Sequence, residues 1–270
     1  MKNIADYVVR ERLREGNHGT VFLAEPPSRL GVEAEIVAIK TLRQHADPDD
    51  FRRVANELRL LNSVDSPHVV RLLDAGSDSG RLFFVMPYYV SGSLEVAATT
   101  LTRDQLRRCV SDAARGADAL HAQGIAHRDI KPANVFVENE RGVLGELGLA
   151  ELVGGGSTTV GAGPLGALEF TAPEIIWGHP ASRQTDIWSL AMTLHRVLTG
   201  SGALGQIPKA GILDACRHVL HTRPEIDASL DPATRQLLER CFNPDPESRH
   251  LTAEEFADDV DQTIEGSRNG

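Results

Sequence analysis

The chain has little cysteine: three residues in 270, at Cys109, Cys216 and Cys241, with neither metal-ligand nor disulfide spacing. That excludes a disulfide framework and predicts inert thiols in a reducing, cytoplasmic compartment. Long apolar runs are missing too. Met1 to Glu11 is charged and lacks an apolar core segment, so no signal peptide is expected there. The most apolar stretch, Ile187 to Leu198, is interrupted by His195 and Arg196 and is too short to span a bilayer. A soluble chain without a membrane segment is expected, and membership of a longer, membrane-anchored protein stays open. Basic runs are absent as well. The formal net charge is −10, which argues against a nucleic-acid partner held through its phosphates. No internal repeat is visible.

What is present is ordinary globular composition, 41% hydrophobic and 24% charged. The length suits one large domain or two small lobes sharing a cleft. The first ninety or so residues read as strands: Val8 and Val9, Val21 to Ala24, Ile36 to Ile39, Val69 to Leu73 and Leu82 to Met86, separated by turn-forming residues. One helix interrupts them. Asp47 is placed to cap it, Pro48 takes the first helical position, and Phe51, Val54, Leu58 and Leu61 form its apolar stripe.

After Gly92 the pattern turns helical. Thr102 and Gln105 have capping-box spacing ahead of Leu106, Cys109, Val110, Ala113, Ala117 and Leu120. Thr185 to Leu198 predicts a buried helix stopped at Gly200, Asp231-Pro232 opens another, and Thr252 with Glu255 caps the last. The glycine-rich stretch Gly154 to Gly166 is the candidate mobile loop. The predicted class is α+β: a small antiparallel-sheet lobe with one helix, joined to a larger helical lobe.

Three segments carry chemistry. Arg14-Glu15-Gly16-Asn17-His18-Gly19-Thr20-Val21 lies between strands, and Gly16 and Gly19 would let backbone N–H groups approach phosphate oxygens. By itself such a glycine pair is more often a hairpin turn. Val37-Ala38-Ile39-Lys40 puts a lysine on an otherwise apolar strand, where a solvated edge charge is the plainer reading. The segment His127-Arg128-Asp129-Ile130-Lys131-Pro132-Ala133-Asn134 is far more specific. It gathers a carboxylate, an ammonium and an amide in one short loop stiffened by proline. Those groups orient a hydroxyl, neutralise phosphate charge and hold a metal ion, as phosphoryl transfer requires.

On these motifs the chain resembles the eukaryotic-type serine/threonine protein kinases, bacterial members included, over roughly residues 7 to 260. The resemblance implies a bilobal domain over 7–264, with a sheet lobe at about 7–86, a hinge at 87–91, a helical lobe at about 92–264 and a short tail at 265–270. It implies ATP with Mg²⁺ (Mn²⁺ as an option) and a protein substrate bearing Ser or Thr. Lys40 then matches the lysine on the α- and β-phosphates, and Glu57 its ion-pair partner. Asp129 matches the catalytic aspartate, Lys131 the lysine near the γ-phosphate, and Asn134 and Glu146 the metal ligands. Gly16, Gly19, Val21, Ala38, Met86, Pro87, Tyr89 and Phe136 complete the implied ATP site. Pro87 would contribute its carbonyl and Tyr89 its N–H to the adenine. Glu174 and Arg249 match a buried ion pair, and Asp186 a brace for the catalytic loop. Phosphate added at Ser157, Thr158 or Thr159 would have Arg128 to pair with, although an unmodified loop is the plainer expectation.

Three positions depart from the family pattern. Arg14 stands where the first loop glycine is usual. Gly145-Glu146-Leu147-Gly148 replaces Asp-Phe-Gly, so the carboxylate lies one methylene further out. Ala167, in Gly166-Ala167-Leu168-Glu169-Phe170, replaces the threonine that bonds the catalytic aspartate and lysine. All three point towards reduced or specialised transfer. The alternative they raise is a pseudokinase, a nucleotide-binding or scaffold module.

Overall fold

The computed structural model describes residues 3–16, 19–45, 63–145 and 165–268. The described chain divides into two compact units. The first holds the residues through Asp65 together with Val70–Tyr88, and the second holds Ser66–Val69 and the chain from Tyr89 onward. The expected helix at 48–61, with Glu57, lies outside the described residues. So do Asn17, His18, Glu146 and the glycine-rich stretch as far as 164.

The first unit is a six-stranded antiparallel sheet: β1 (Asn3–Ile4), β2 (Tyr7–Gly16), β3 (Gly19–Glu25), β4 (Val37–His45), β5 (Asp74–Asp78) and β6 (Arg81–Pro87). Their order across the sheet is β1-β2-β3-β4-β6-β5. Alternation puts Ala24, Val37, Ile39, Phe83 and Val85 on one face, where they pack with Ile4 and Tyr7. Tyr7 meets Phe83 edge-on, with ring centroids 5.9 Å apart. Its hydroxyl donates to Asp74 at 2.5 Å, and burial together with that carboxylate raises the phenol's pKa. Arg29 then ties Asp74 at 2.8 Å to Asp6 at 2.6 Å, closing a polar clasp at the margin of this core.

One strand is not where the sequence suggested. Val69 to Leu73, one of the expected strands, forms only an isolated bridge at Val69, and the strand is the neighbouring Asp-Ala-Gly-Ser-Asp of β5. The reason is tertiary. Val69 pairs with Leu144 in the second unit, so the register opposite β6 starts only when Leu73 donates to Val85 and Asp74 faces the same residue. Gly76 fits there because a Cβ would come within 2.6 Å of the Phe83 ring.

The second unit is mainly helical: α1 (Leu94–Ala97), α2 (Arg103–Ala122), α3 (Pro173–Ile176), α4 (Arg183–Thr199), α5 (Ile212–His221), α6 (Pro232–Cys241) and α7 (Ala253–Arg268), with a hairpin β7 (Val135–Glu138) and β8 (Arg141–Leu144). Helix α2 starts at the capping box expected for Thr102 and Gln105, with both reciprocal hydrogen bonds present. Helix α4 is buried over most of its circumference. It has a second capping box, Ser182 with Thr185, and ends at Gly200 in the left-handed region, φ 74°. Helix α7 continues to Arg268, beyond the tail boundary drawn at 265. Among the described residues no helix is long and apolar enough to cross a membrane.

Helix α2 packs on β8, α4 and α7, and the contact is close enough to demand glycine. A Cβ at Gly116 would lie 2.4 Å from the His68 carbonyl oxygen, and one at Gly142 would lie 2.0 Å from the Cys109 carbonyl oxygen. His68 and Val69 are thereby seated beside β8, where Leu144 donates to His68 O at 2.8 Å.

Candidate active site

In the first unit, strand register collects the residues that the resemblance connects with a nucleotide. Val21 pairs with Lys40 and Lys40 with Phe84, while Leu23 pairs with Ala38 and Ala38 with Met86. Directly paired residues share a face, so Val21, Ala38, Lys40 and Met86 lie together on the face opposite the Tyr7 core. Gly16 pairs with Gly19 at the β2–β3 hairpin. Gly19 adopts φ 155°, and a Cβ there would sit 1.9 Å from the Thr41 carbonyl oxygen. Glycine at 19 is thus required by the sheet itself. Pro87 closes β6 opposite Val37, at a strand end where a missing N–H costs little.

The second unit contains the loop from His127 to Asn134, and hydrogen bonds fix it on several sides. Asp186, in the first turn of α4 and 1% exposed, accepts the backbone N–H of His127 at 2.7 Å and of Arg128 at 2.9 Å. It also accepts from His121 Nε2 at 2.8 Å. These bonds hold Arg128 at φ 73°, a left-handed conformation that costs a non-glycine residue on the order of 1–3 kcal/mol. The Arg128 side chain is exposed.

Burial lowers the pKa of His127, which favours the neutral ring. Its hydrogen bonds then assign the tautomer: Nε2–H donates to Gly145 O at 3.1 Å, and Nδ1 accepts from Asp129 N–H at 3.3 Å. Gly145 in turn donates its N–H to Asn134 O at 2.9 Å. The residue immediately before Glu146 is therefore gripped from both sides by the loop.

The loop's functional groups converge. Lys131 Nζ lies 2.7 Å from each carboxylate oxygen of Asp129. Asn134, 2% exposed, donates through Nδ2 to Asp129 O at 2.7 Å and to Asp129 Oδ2 at 2.8 Å. That geometry leaves the amide oxygen Oδ1 pointing away from the donor bonds, and a neutral oxygen is the ligand type that hard Mg²⁺ accepts. Asp129 stays about a third exposed, its side chain at 32%, so an incoming hydroxyl has access. No group of three His, Cys, Asp or Glu side chains placed to hold a metal ion occurs among the described residues.

Beyond the loop, Phe136 stacks on Tyr89 with centroids 5.1 Å apart and planes 12° from parallel. Val137 N–H donates to Gly92 O at 2.9 Å and Ser93 bridges Phe136, so β7 carries the segment that follows Tyr88. Burial, with Glu138 nearby, pushes the Tyr89 phenol up to about 12.

Ala167 belongs to the 3₁₀ turn Leu165–Phe170. The hydroxyl that reaches it is that of Thr171, which donates to the Ala167 carbonyl at 3.2 Å; among the described residues no hydroxyl bonds the Asp129 carboxylate. Glu174 pairs with Arg249 at 2.6 and 3.1 Å. The Arg249 guanidinium is fully buried, stacks 4.9 Å above the Trp188 ring and donates to Asn243 O and Gln184 O. Sequence reasoning did not single out His121, nor the bonds that fix Gly145. The available signal was slight, a histidine following Leu120 where α2 runs into the loop.

The description "protein kinase domain" matches residues 7–260. Serine/threonine-protein kinase PknJ of Mycobacterium tuberculosis is 30% identical over 265 residues, covering 94% of this chain and 44% of that protein. Serine/threonine-protein kinase PkaB of Streptomyces coelicolor is 30% identical over 262 residues, covering 92% of this chain and 61% of that protein. The chain thus spans about half the length of these relatives. Among solved structures, the Mycobacterium tuberculosis PknI kinase domain aligns with a TM-score of 0.72 at 23% identity, covering 97% of each chain. That likeness shows the bilobal α+β fold.

Proposed function

The chain belongs to the protein kinase domain family, and from that premise we propose that it transfers the γ-phosphate of ATP to a Ser or Thr hydroxyl of a protein. The observation that carries this reading is the convergence of Lys131 and Asn134 on Asp129, all within hydrogen-bonding distance.

In this reading Asp129 accepts the proton of the substrate hydroxyl and orients it for in-line attack. Lys131 sits against that carboxylate, positioned to share its charge with the transferring phosphoryl group. Lys40, for which the resemblance implies Glu57 as partner, holds the α- and β-phosphates beside the Gly16–Gly19 hairpin. The resemblance assigns adenine contacts to Val21, Ala38, Met86 and Pro87 O in the first unit, and to Tyr89 N–H and Phe136 in the second. Asn134 and Glu146 would hold Mg²⁺ or Mn²⁺, which would neutralise phosphate charge there. The chain's own contribution there is the fixed backbone at Gly145.

A second reading, a nucleotide-binding module without transfer, is favoured by Ala167, which brings no hydroxyl to Asp129. Purified protein incubated with ATP, a generic protein substrate and either Mg²⁺ or Mn²⁺ separates the two. Phosphate on the substrate supports the enzyme, and nucleotide binding without transfer supports the module.

A further inference from the structure

Glu169 is buried, 7% exposed, in the 3₁₀ turn just before Ala172-Pro173-Glu174. Its Oε2 pairs with Arg196 Nη2 at 3.2 Å, while Oε1 has no hydrogen-bond partner. Oε1 faces Gly202, where an added Cβ would come within 2.2 Å. The guanidinium is on the wet side of this pair: the Arg196 side chain is 40% exposed and that of Glu169 9%. A buried carboxylate with an unbonded oxygen is a weak contributor to stability. What it does accomplish is to hold an arginine whose side chain remains 40% exposed.

Helix α4 sets where that arginine stands. Asp186, in its first turn, holds the backbone beside Asp129, and Arg196 lies in its last turn. Ten residues separate them, about 15 Å of helix axis, which is roughly four or five residues of extended chain. The turn containing Glu169 runs along the same helix, with Ser189 Oγ donating to Phe170 O at 2.7 Å.

We infer that Arg196, held by Glu169, receives an acidic side chain of the protein substrate within about five residues of the acceptor hydroxyl. The inference rests on the kinase reading of this site and gives it a substrate class: proteins with a carboxylate or phosphate near the target Ser or Thr. A fork of guanidinium donors suits either anion, and a charge-assisted contact of this kind corresponds to about tenfold or more in affinity.

The test is equilibrium binding, which needs no turnover. Fluorescent Ser-centred peptides carrying Asp, phosphoserine, Ala or Lys at each nearby position are titrated by anisotropy into wild type, Arg196→Gln and Arg196→Glu. Thermal melts of all three accompany the titrations. Wild type should favour the Asp and phosphoserine peptides about tenfold over Ala at one or two positions. The ratio between those two peptides assigns carboxylate or phosphate. Arg196→Gln should erase the preference, and Arg196→Glu should turn it towards Lys. A reversal of charge preference is not something a merely structural arginine would give. If Arg196→Glu fails to fold, Arg196→Gln alone still decides. Equal binding of all peptides by wild type, or an acidic preference that survives in either variant, overturns the inference. Acid-selective binding without any phosphate transfer would leave the inference standing and remove the enzyme reading instead.

Discussion

Asp186 and Arg128 are joined by a 2.9 Å hydrogen bond from the Arg128 backbone N–H to the Asp186 carboxylate, and this bond holds Arg128 in a left-handed conformation, φ 73°. The residue after Arg128 is Asp129. A buried carboxylate in one helix thus fixes the backbone that presents the candidate catalytic group.

Asp186→Ala removes three acceptor bonds at once, from His121, His127 and Arg128. Buried bonds to a charged group are each worth about 1.5–3 kcal/mol, and their losses at one residue are less than additive. A destabilisation of roughly 3–5 kcal/mol is expected, read as a lower urea midpoint with an unchanged slope. Protein that remains folded should also transfer phosphate more slowly.

Gly116→Ala sets two effects against each other. Alanine is better than glycine inside a helix by about 1 kcal/mol. Here its methyl would come within 2.4 Å of the His68 carbonyl oxygen, a backbone atom that cannot rotate away. Overpacking of this kind costs about 1–3 kcal/mol, so the net effect should be destabilising. Chemical denaturation gives the sign, and a more stable variant would contradict the packing described for α2.

Stability should fall on mild acidification. Burial lowers the pKa of His127, His195 and His250. Each ring therefore takes up its proton more readily in the unfolded chain, near pH 6.5. The stability tied to the neutral rings is complete above that pH and is lost as pH falls below it, towards the lower folded pKa values. Urea midpoints between pH 7.5 and 5.5 should decline accordingly, and His250→Gln should make the decline shallower.

Much of this architecture was legible in the sequence, where the determinants were local. The capping box at Thr102, the stop at Gly200 and the Gly16–Gly19 hairpin rest on short-range chemistry, whereas the Ser182 cap of α4 was not foreseen. What escaped was set by distant partners. The β5 strand has a sequence of poor strand propensity and exists because β6 offers it an edge. Gly116, Gly142 and Gly145 look like ordinary glycines until the helix, the hairpin and the loop are brought together. The loop residues Asp129, Lys131 and Asn134 could be named from their motif, but the clamp on Gly145 could not, because His127 is 18 residues away.

The metal dependence should bear the mark of Glu146. Its carboxylate reaches one methylene further than aspartate, and a misplacement of about 1 Å can lower a rate roughly 100-fold. Mg²⁺ demands near-ideal octahedral geometry, whereas Mn²⁺, which also takes oxygen ligands, has softer demands. Wild type should work better with Mn²⁺, and Glu146→Asp should restore rates with Mg²⁺. Slower transfer by Glu146→Asp with both ions would identify the glutamate as a ligand fitted to its surroundings.

The most direct test of the central claim compares wild type with Asp129→Asn for phosphate transfer and for ATP binding in the same preparations. The substitution keeps the shape of the side chain and removes the proton acceptor, a loss worth about 100-fold or more in rate. Transfer by wild type that falls by at least about that factor in Asp129→Asn, with Mg-ATP still raising the melting temperature of both, is the expected result. Equal transfer by the two proteins, or no transfer by wild type with either metal ion, would contradict it.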